Sequence, residues 1–227
     1  NDTASTEVCT LARHALFSLA RALQGRQGAQ LVYSDEDKLD ELGRRCEPYF
    51  KPDFARDLLY SQNYVAHLAV YRRKLVETAG GIRPGFYGSD DYDLLLRCVA
   101  ELGDESEILH VPEVLYHLRK TADASATKRR EEQATESARR ALSHHLASVS
   151  PGVRVSVTSP GLYRAHWPVP SPAPLVSLIV PTRDRHELLA KCVDSIRERT
   201  TYENYEILIV DNQSQAPEAL AYLAALA

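Results

Sequence analysis

Three consecutive carboxylates, Asp35, Glu36 and Asp37, follow an apolar run over residues 30–33, and their spacing makes the plainest chemical demand in this chain. The run reads as a buried strand. Carboxylates packed so closely at a strand end repel one another unless positive charge lies between them, which makes a divalent cation a natural resident. Oxygen ligands favour magnesium or manganese over zinc. Two other readings stand beside this one. The stretch could be a solvated acidic turn, or an Asp-x-Asp after a strand could make Asp35 the nucleophile of an aspartyl-phosphate phosphohydrolase. An EF-hand is excluded, because Leu39 and Asp40 occupy the positions where its loop needs an oxygen ligand and a glycine.

A second acidic group, Asp90, Asp91 and Asp93, opens a stretch in which Leu94, Leu95, Cys98, Val99 and Leu102 recur at helical spacing until Gly103. Asp90 and Asp93 have the spacing of an N-cap and its N3 partner, where the helix dipole favours carboxylates. Asp91 exceeds what capping requires, which singles it out for chemistry. Residues 108–111 and 114–118 read as two short strands around Pro112, the second leading to His117 and Arg119 on one face. A strand histidine is more often structural. Beside a carboxylate-bound metal and an anionic ligand, however, the pair makes sense as metal ligand and phosphate clamp.

The elements that must position these residues follow α/β grammar. A helical stripe over residues 7–24, with Thr6 as its cap, leads into the first strand, and ligands in such sheets gather at the strands' carboxyl ends. Residues 43–64, broken by Pro48 and Pro52, read as irregular, and residues 64–71 as a strand. Residues 127–149 combine a dense charge run with a thin alanine and leucine stripe, predicting a surface helix that serves as a connector. Two short strands follow, over 153–157 and 162–167. Prolines at 168, 170, 172 and 174 then make a stiff linker and a domain boundary. Beyond it, a strand over 175–180, the loop Pro181-Thr182-Arg183-Asp184, a helix over 188–199 and a strand over 205–210 ending in Asp211 form a βαβ unit whose polar strand ends suit a nucleotide. Neither a dinucleotide fingerprint nor a Walker loop is present. A last helix begins near residue 217.

Composition narrows the classes. The 227 residues allow one large domain or one and a half ordinary ones, and 44% apolar residues support a real core. A net charge of -4 gives no basic footprint and argues against nucleic acid as a partner. Four dispersed cysteines suit reduced thiols in a cytosolic protein, not a disulfide frame or zinc site. No apolar run approaches the ~18 residues of a membrane span, and no signal peptide is visible. The chain lacks methionine, so residue 1 is expected to lie inside a longer protein.

Three stretches together resemble family 2 glycosyltransferases of the GT-A fold, and most resemble bacterial proteins that carry two such domains in tandem and build O-antigen or related surface polysaccharides. They are Tyr33-Ser-Asp-Glu-Asp-Lys38; Gly88-Ser-Asp-Asp-Tyr-Asp-Leu94 with Tyr116-His-Leu-Arg119; and Val176-Ser-Leu-Ile-Val-Pro-Thr-Arg-Asp184 through Val210-Asp-Asn212. The resemblance implies that Asp35 contacts the donor ribose and that Asp37, with His117, binds Mn2+ or Mg2+. Asp91 would be the catalytic base, with Asp90 in place of the usual preceding Glu, and Asp90 and Arg119 would lie on the acceptor or phosphate side. Pro181, Thr182, Asp184 and Asp211 match positions that frame the nucleotide. The implied partners are a nucleoside-diphosphate sugar and a glycan or lipid-linked acceptor, with a cytoplasmic site, peripheral to the inner membrane in one version. The Pro-Thr-Arg-Asp strand normally precedes the Asp-Glu-Asp strand, and here the order is reversed. Residues 1–122 are therefore expected to be the rear half of one domain, 123–174 a connector and linker, and 175–227 the front of the next, so that the GT-A fold is incomplete or permuted. An inverting, metal-dependent transferase is the implied activity. A catalytically incomplete acceptor-binding fragment and the phosphohydrolase remain as alternatives.

Overall fold

The structure, a computed structural model, describes residues 9–119 and 124–226. It divides into two compact units at the Trp167–Pro168 junction, where the proline-rich segment begins. In chain order the first unit contains β1 (Cys9–Leu11), α1 (Ala15–Gly25), β2 (Leu31–Leu39), β3 (Arg45–Tyr49), α2 (Arg56–Leu59), β4 (Ala69–Tyr71), α3 (Arg73–Thr78), α4 (Asp90–Glu101), β5 (Ile108–Arg119), α5 (Ala124–Val149), β6 (Arg154–Ser159) and β7 (Leu162–His166).

β2 is the axis of this unit. One edge pairs in parallel with β5; the other pairs antiparallel with β4 at its start and with β3 at its end. β1 extends the sheet beyond β5. Because side chains alternate along a strand, Leu31 and Tyr33 enter one core with Tyr92, Leu95 and Leu142. Val32 enters another with Ala15 and Leu19 of α1 and Leu115 of β5. The sheet is thus covered by α1 on one face and by α4 and α5 on the other.

Several sequence expectations change here. β2 does not stop at Tyr33 but runs on through all three carboxylates to Leu39, because β3 and β5 supply ladder partners on both edges. Residues 9–11 form β1 instead of the start of a helix, and α1 begins only at Ala15; the expected cap Thr6 lies outside the described residues. Pro112 does not divide two strands. β5 is continuous across it, and the parallel register shifts at this point, opposite Ser34 and Asp35. A residue without an N–H is tolerated where the ladder is already interrupted.

The expected connector helix belongs to the core. Ala138, Ala141, Leu142 and Leu146 of α5 are at most 5% exposed and pack with α4 and β2 residues. A thin stripe suffices because small residues let α4 and α5 approach closely. At the turn into α4, Gly88 has φ +81, and a Cβ there would lie 3.1 Å from that of Ala134. The N-cap of α4 is Ser89, not Asp90, and its hydroxyl donates to the Ala134 carbonyl at 2.7 Å. Asp93 is buried and accepts hydrogen bonds from Arg83 and Arg97, so it braces the helix instead of capping it.

The second unit contains β8 (Val176–Thr182), α6 (His186–Arg199), β9 (Tyr205–Asp211) and α7 (Pro217–Leu226). β8 and β9 form the expected parallel pair, in a two-stranded sheet of its own. Leu189 and Val193 of α6 are buried, but Ile179, Leu208 and Val210 on the strands are exposed.

Candidate functional site

The register between β2 and β5 assembles the acidic edge. After the two shifts around Pro112, Asp37 stands directly opposite His117 and Leu39 opposite Arg119. His117 Nδ1 meets Asp37 Oδ1 in a short contact, and Arg45 Nε of β3 donates to the other oxygen at 2.5 Å. Asp35 is engaged separately. Its Oδ1 accepts the Lys51 backbone N–H at 3.0 Å and lies 2.8 Å from His110 Nε2. The His110 ring stacks on Tyr33, with centroids 4.8 Å apart.

Glu36 completes the triad through a third set of partners. Lys51 Nζ lies 3.3 Å and His67 Nδ1 3.5 Å from Glu36 Oε2. Burial would raise the Glu36 pKa, but the His67 hydrogen bond and the Lys51 charge outweigh it and hold the carboxyl below its usual value. Burial acts in the opposite sense on Lys51, lowering its pKa against the restoring charge of Glu36. The three carboxylates therefore do not converge on one centre. Their repulsion is offset by separate side chains, so crowding alone does not require a cation.

A cavity of about 490 Å³ opens beside this edge, with Asp91, Asn63, His67, Tyr49, Thr135 and Tyr163 in its wall. Asn63 Nδ2 donates to Asp91 Oδ2 at 2.9 Å. His67 joins the two regions, since its ring also stacks on Tyr116 at 4.8 Å and 9°, and Tyr116 is the β5 partner of Glu36. The β6–β7 hairpin contributes Gly161 and Tyr163 to the wall, and α5 contributes Thr135. Burial raises the Tyr163 hydroxyl to about 12 and keeps it neutral.

Of the sequence-predicted residues, the fold brings Asp35, Asp37 and His117 onto adjoining strands and places Asp91 in the cavity wall. Asp90, next to it, accepts from the Gly88 N–H at 3.3 Å. Arg119 closes β5 on the exposed side. Sequence reasoning missed Lys51, His110, Asn63 and His67. A lysine before a proline carries no periodic signal, and the Asn63–Asp91 contact spans 28 positions. His110 alone had a readable cue, its place within an apolar strand.

In the second unit the predicted residues serve their own loop. Asp184, at φ 52, accepts the N–H groups of Gln215 at 2.5 Å and Ala216 at 2.8 Å. These bonds hold its carboxyl below the usual range. Ser214 Oγ donates to Asp211 at 2.5 Å and accepts the Asp184 N–H at 2.9 Å. Pro181 and Thr182 line a cleft of about 300 Å³ with Arg183 and Arg185.

Among the described residues, no three His, Cys, Asp or Glu side chains converge as a ligand set. Asp37 and His117 nevertheless offer one carboxylate and one imidazole at adjacent positions. A small hard cation held by one or two protein groups and completed by phosphate oxygens and water needs no more from the protein. Arg45, with a side chain 60% exposed, has room to leave Asp37. Asp35 is a poor candidate for a phosphohydrolase nucleophile, being 3% exposed and already accepting two hydrogen bonds.

Comparison with known proteins finds one family match and two similar curated proteins. Residues 177–227 match the model of the family described as glycosyl transferase family 2. The chain is 43% identical over 212 residues to the uncharacterized protein y4gI of Sinorhizobium fredii (strain NBRC 101917 / NGR234), covering 92% of this chain and 23% of that protein. It is 42% identical over 215 residues to the O-antigen biosynthesis protein RfbC of Myxococcus xanthus, covering 94% of this chain and 16% of that one. The chain thus spans less than a quarter of the length of either curated relative. Its mixed α/β architecture, with parallel strand pairing in both units, is consistent with a GT-A-like glycosyltransferase fold.

Proposed function

We propose that the protein is an inverting, metal-dependent glycosyltransferase of polysaccharide synthesis, with the first unit as the metal and acceptor half of one GT-A domain and the second as the nucleotide-binding front of another. The observation that carries this reading is the register that sets His117 against Asp37 on β2, beside a cavity walled by Asp91. The relative named for O-antigen biosynthesis supports the polysaccharide setting. The donor is a nucleoside-diphosphate sugar, and the acceptor is a glycan or lipid-linked glycan at the cytoplasmic face of the inner membrane. Among the described residues no helix is long and apolar enough to cross that membrane.

Asp37 and His117 would hold Mn2+ or Mg2+, which when bound supplies positive charge at the departing diphosphate. Asp35 orients the donor ribose, and Arg119 lies on the phosphate side. Asp91 accepts the proton of the acceptor hydroxyl as its oxygen attacks the anomeric carbon. The bond to the diphosphate breaks on the opposite face, and the configuration inverts. Pro181, Thr182, Asp184 and Asp211 frame a nucleotide in the second domain. On this reading the chain by itself holds parts of two sites.

Calorimetric titration with a nucleoside diphosphate, with and without Mn2+, tests the proposal. Binding is expected to require the metal in the protein and to be lost in Asp37→Ala. Equal affinity in Asp37→Ala would remove the metal assignment, and the absence of metal-dependent binding by the unaltered protein would favour a catalytically incomplete acceptor-binding fragment.

A further inference from the structure

Lys51 is the buried lysine among the described residues, with a side chain 0% exposed. A solitary ammonium in such a place is costly unless each of its donors finds a partner. Here Nζ donates to the Val65 carbonyl at 2.9 Å, to the His67 carbonyl in a shorter contact, and to Glu36 Oε2 at 3.3 Å. Three donors meet three acceptors. The backbone N–H of the same residue is the one that binds Asp35.

The two ends of Lys51 therefore grip different parts of the site. Its backbone N–H holds Asp35 on β2, whereas Nζ ties the turn over residues 65–67 to the neighbouring Glu36. Just before that turn, Asn63 Oδ1 accepts the Ala66 N–H at 3.3 Å while its Nδ2 donates to Asp91. At the end of the turn, His67 stacks on Tyr116 and faces the cavity. An apolar side chain at position 51 would leave the Val65 and His67 carbonyls without their donor, and the turn would have to move to recover one.

We propose that Lys51 is a positioning residue for the acceptor side of the reaction, its ammonium holding the 65–67 turn so that Asn63 and His67 form the cavity wall around Asp91. The role rests on the transferase reading given above. It differs from general support of the fold because Nζ touches neither Asp37 nor His117, so the two halves of the site respond differently to its loss.

Lys51→Met and Lys51→Gln separate these effects. In the full-length protein, kcat/KM for the acceptor is expected to fall between about tenfold and a hundredfold, as for misplacement of a catalytic group. The Mn2+-dependent Kd for a nucleoside diphosphate should stay within about twofold, because its proposed ligands are untouched. In the 227-residue chain, the ring protons of His67 should lose the NMR displacement caused by stacking on Tyr116. Unchanged acceptor kinetics with an intact His67 signal would overturn the proposal, as would an equal loss of nucleotide affinity. Should both variants fail to fold, Glu36→Gln, which removes the ammonium's charged partner, must produce the same acceptor-selective defect or the proposal fails. If the unaltered protein binds no Mn2+–nucleoside diphosphate, the transferase reading fails, while the His67 signal still tests the clamp itself.

Discussion

Asp35 and Asp37 in the first unit, and Asp184 and Asp211 in the second, share a residue type and a position near the carboxyl ends of strands, yet their surroundings differ. Asp35 and Asp37 are 3% exposed and are met by His110, His117 and Arg45 from other strands. Asp184 accepts two backbone N–H groups at the start of α7, and Asp211 accepts from Ser214. At Asp37 both partners are side chains that a ligand can displace or share, whereas Asp35 also accepts the Lys51 backbone N–H. The second unit's arrangement builds a loop. A carboxylate at a strand end thus becomes a candidate site or a structural brace according to what reaches it, and the strand pattern alone does not distinguish the two.

The contrast extends to the cores. β2 is paired along both edges and covered on both faces, whereas β8 and β9 leave Ile179 67% and Val210 51% exposed. A two-stranded sheet is marginal unless something covers it. Within the second unit, α6 and α7 bury only part of its apolar surface.

The largest test of this comparison is chemical. If the first unit carries the proton-accepting group, Asp91→Asn in the full-length protein should lower transfer by ~10² to 10⁴, the usual contribution of a general base. Metal-dependent nucleotide binding should survive. Undiminished turnover would remove Asp91 from the mechanism.

A smaller effect compares the packing. Leu142→Ala in α5, at a position 0% exposed, should cost about 2 to 5 kcal/mol through lost burial and a cavity. Ile179→Ala in β8 should fall within about 0.5 kcal/mol, as surface changes do. Urea unfolding measured separately by probes in each unit checks the pair, and similar losses at both sites would erase the distinction between the cores.

The smallest effect is a pH difference. Asp184 is held below its usual value of 3.8 by the Ala216 and Gln215 N–H groups. Its contribution is therefore present above pH 3.8 and is lost as the pH falls through its own lower pKa. Glu36 behaves with the same sign relative to 4.5, but burial opposes the partners that lower it. Amide NMR of Gln215 and Ala216 should report the first transition, and the His67 ring the second. Release of the Gln215 and Ala216 amides above pH 3.8 would contradict the loop-bracing role of Asp184.

Much of this was legible in the residues. The βαβ order after the prolines and the helix beginning at Asp90 follow from local pattern, because turn chemistry and apolar periodicity act over a few positions. The ends of β1, β2 and β5 were not legible, since each depends on a partner strand distant in sequence. Asp93 looked like a cap and became a brace once Arg83 folded back onto it. The stripe on α5 looked too thin for a core until Gly88 let the helices approach.

The sequence by itself determined which residues carry charge and imidazole, which segments are apolar on one side, and where the chain changes character. The tertiary structure alone decided that His117 meets Asp37, that Lys51 is buried beside Glu36, and that Asn63 reaches Asp91. The reason is that strand register is a property of two segments at once. The shifts around Pro112 change every pairing after them, and nothing in either strand read alone specifies the outcome.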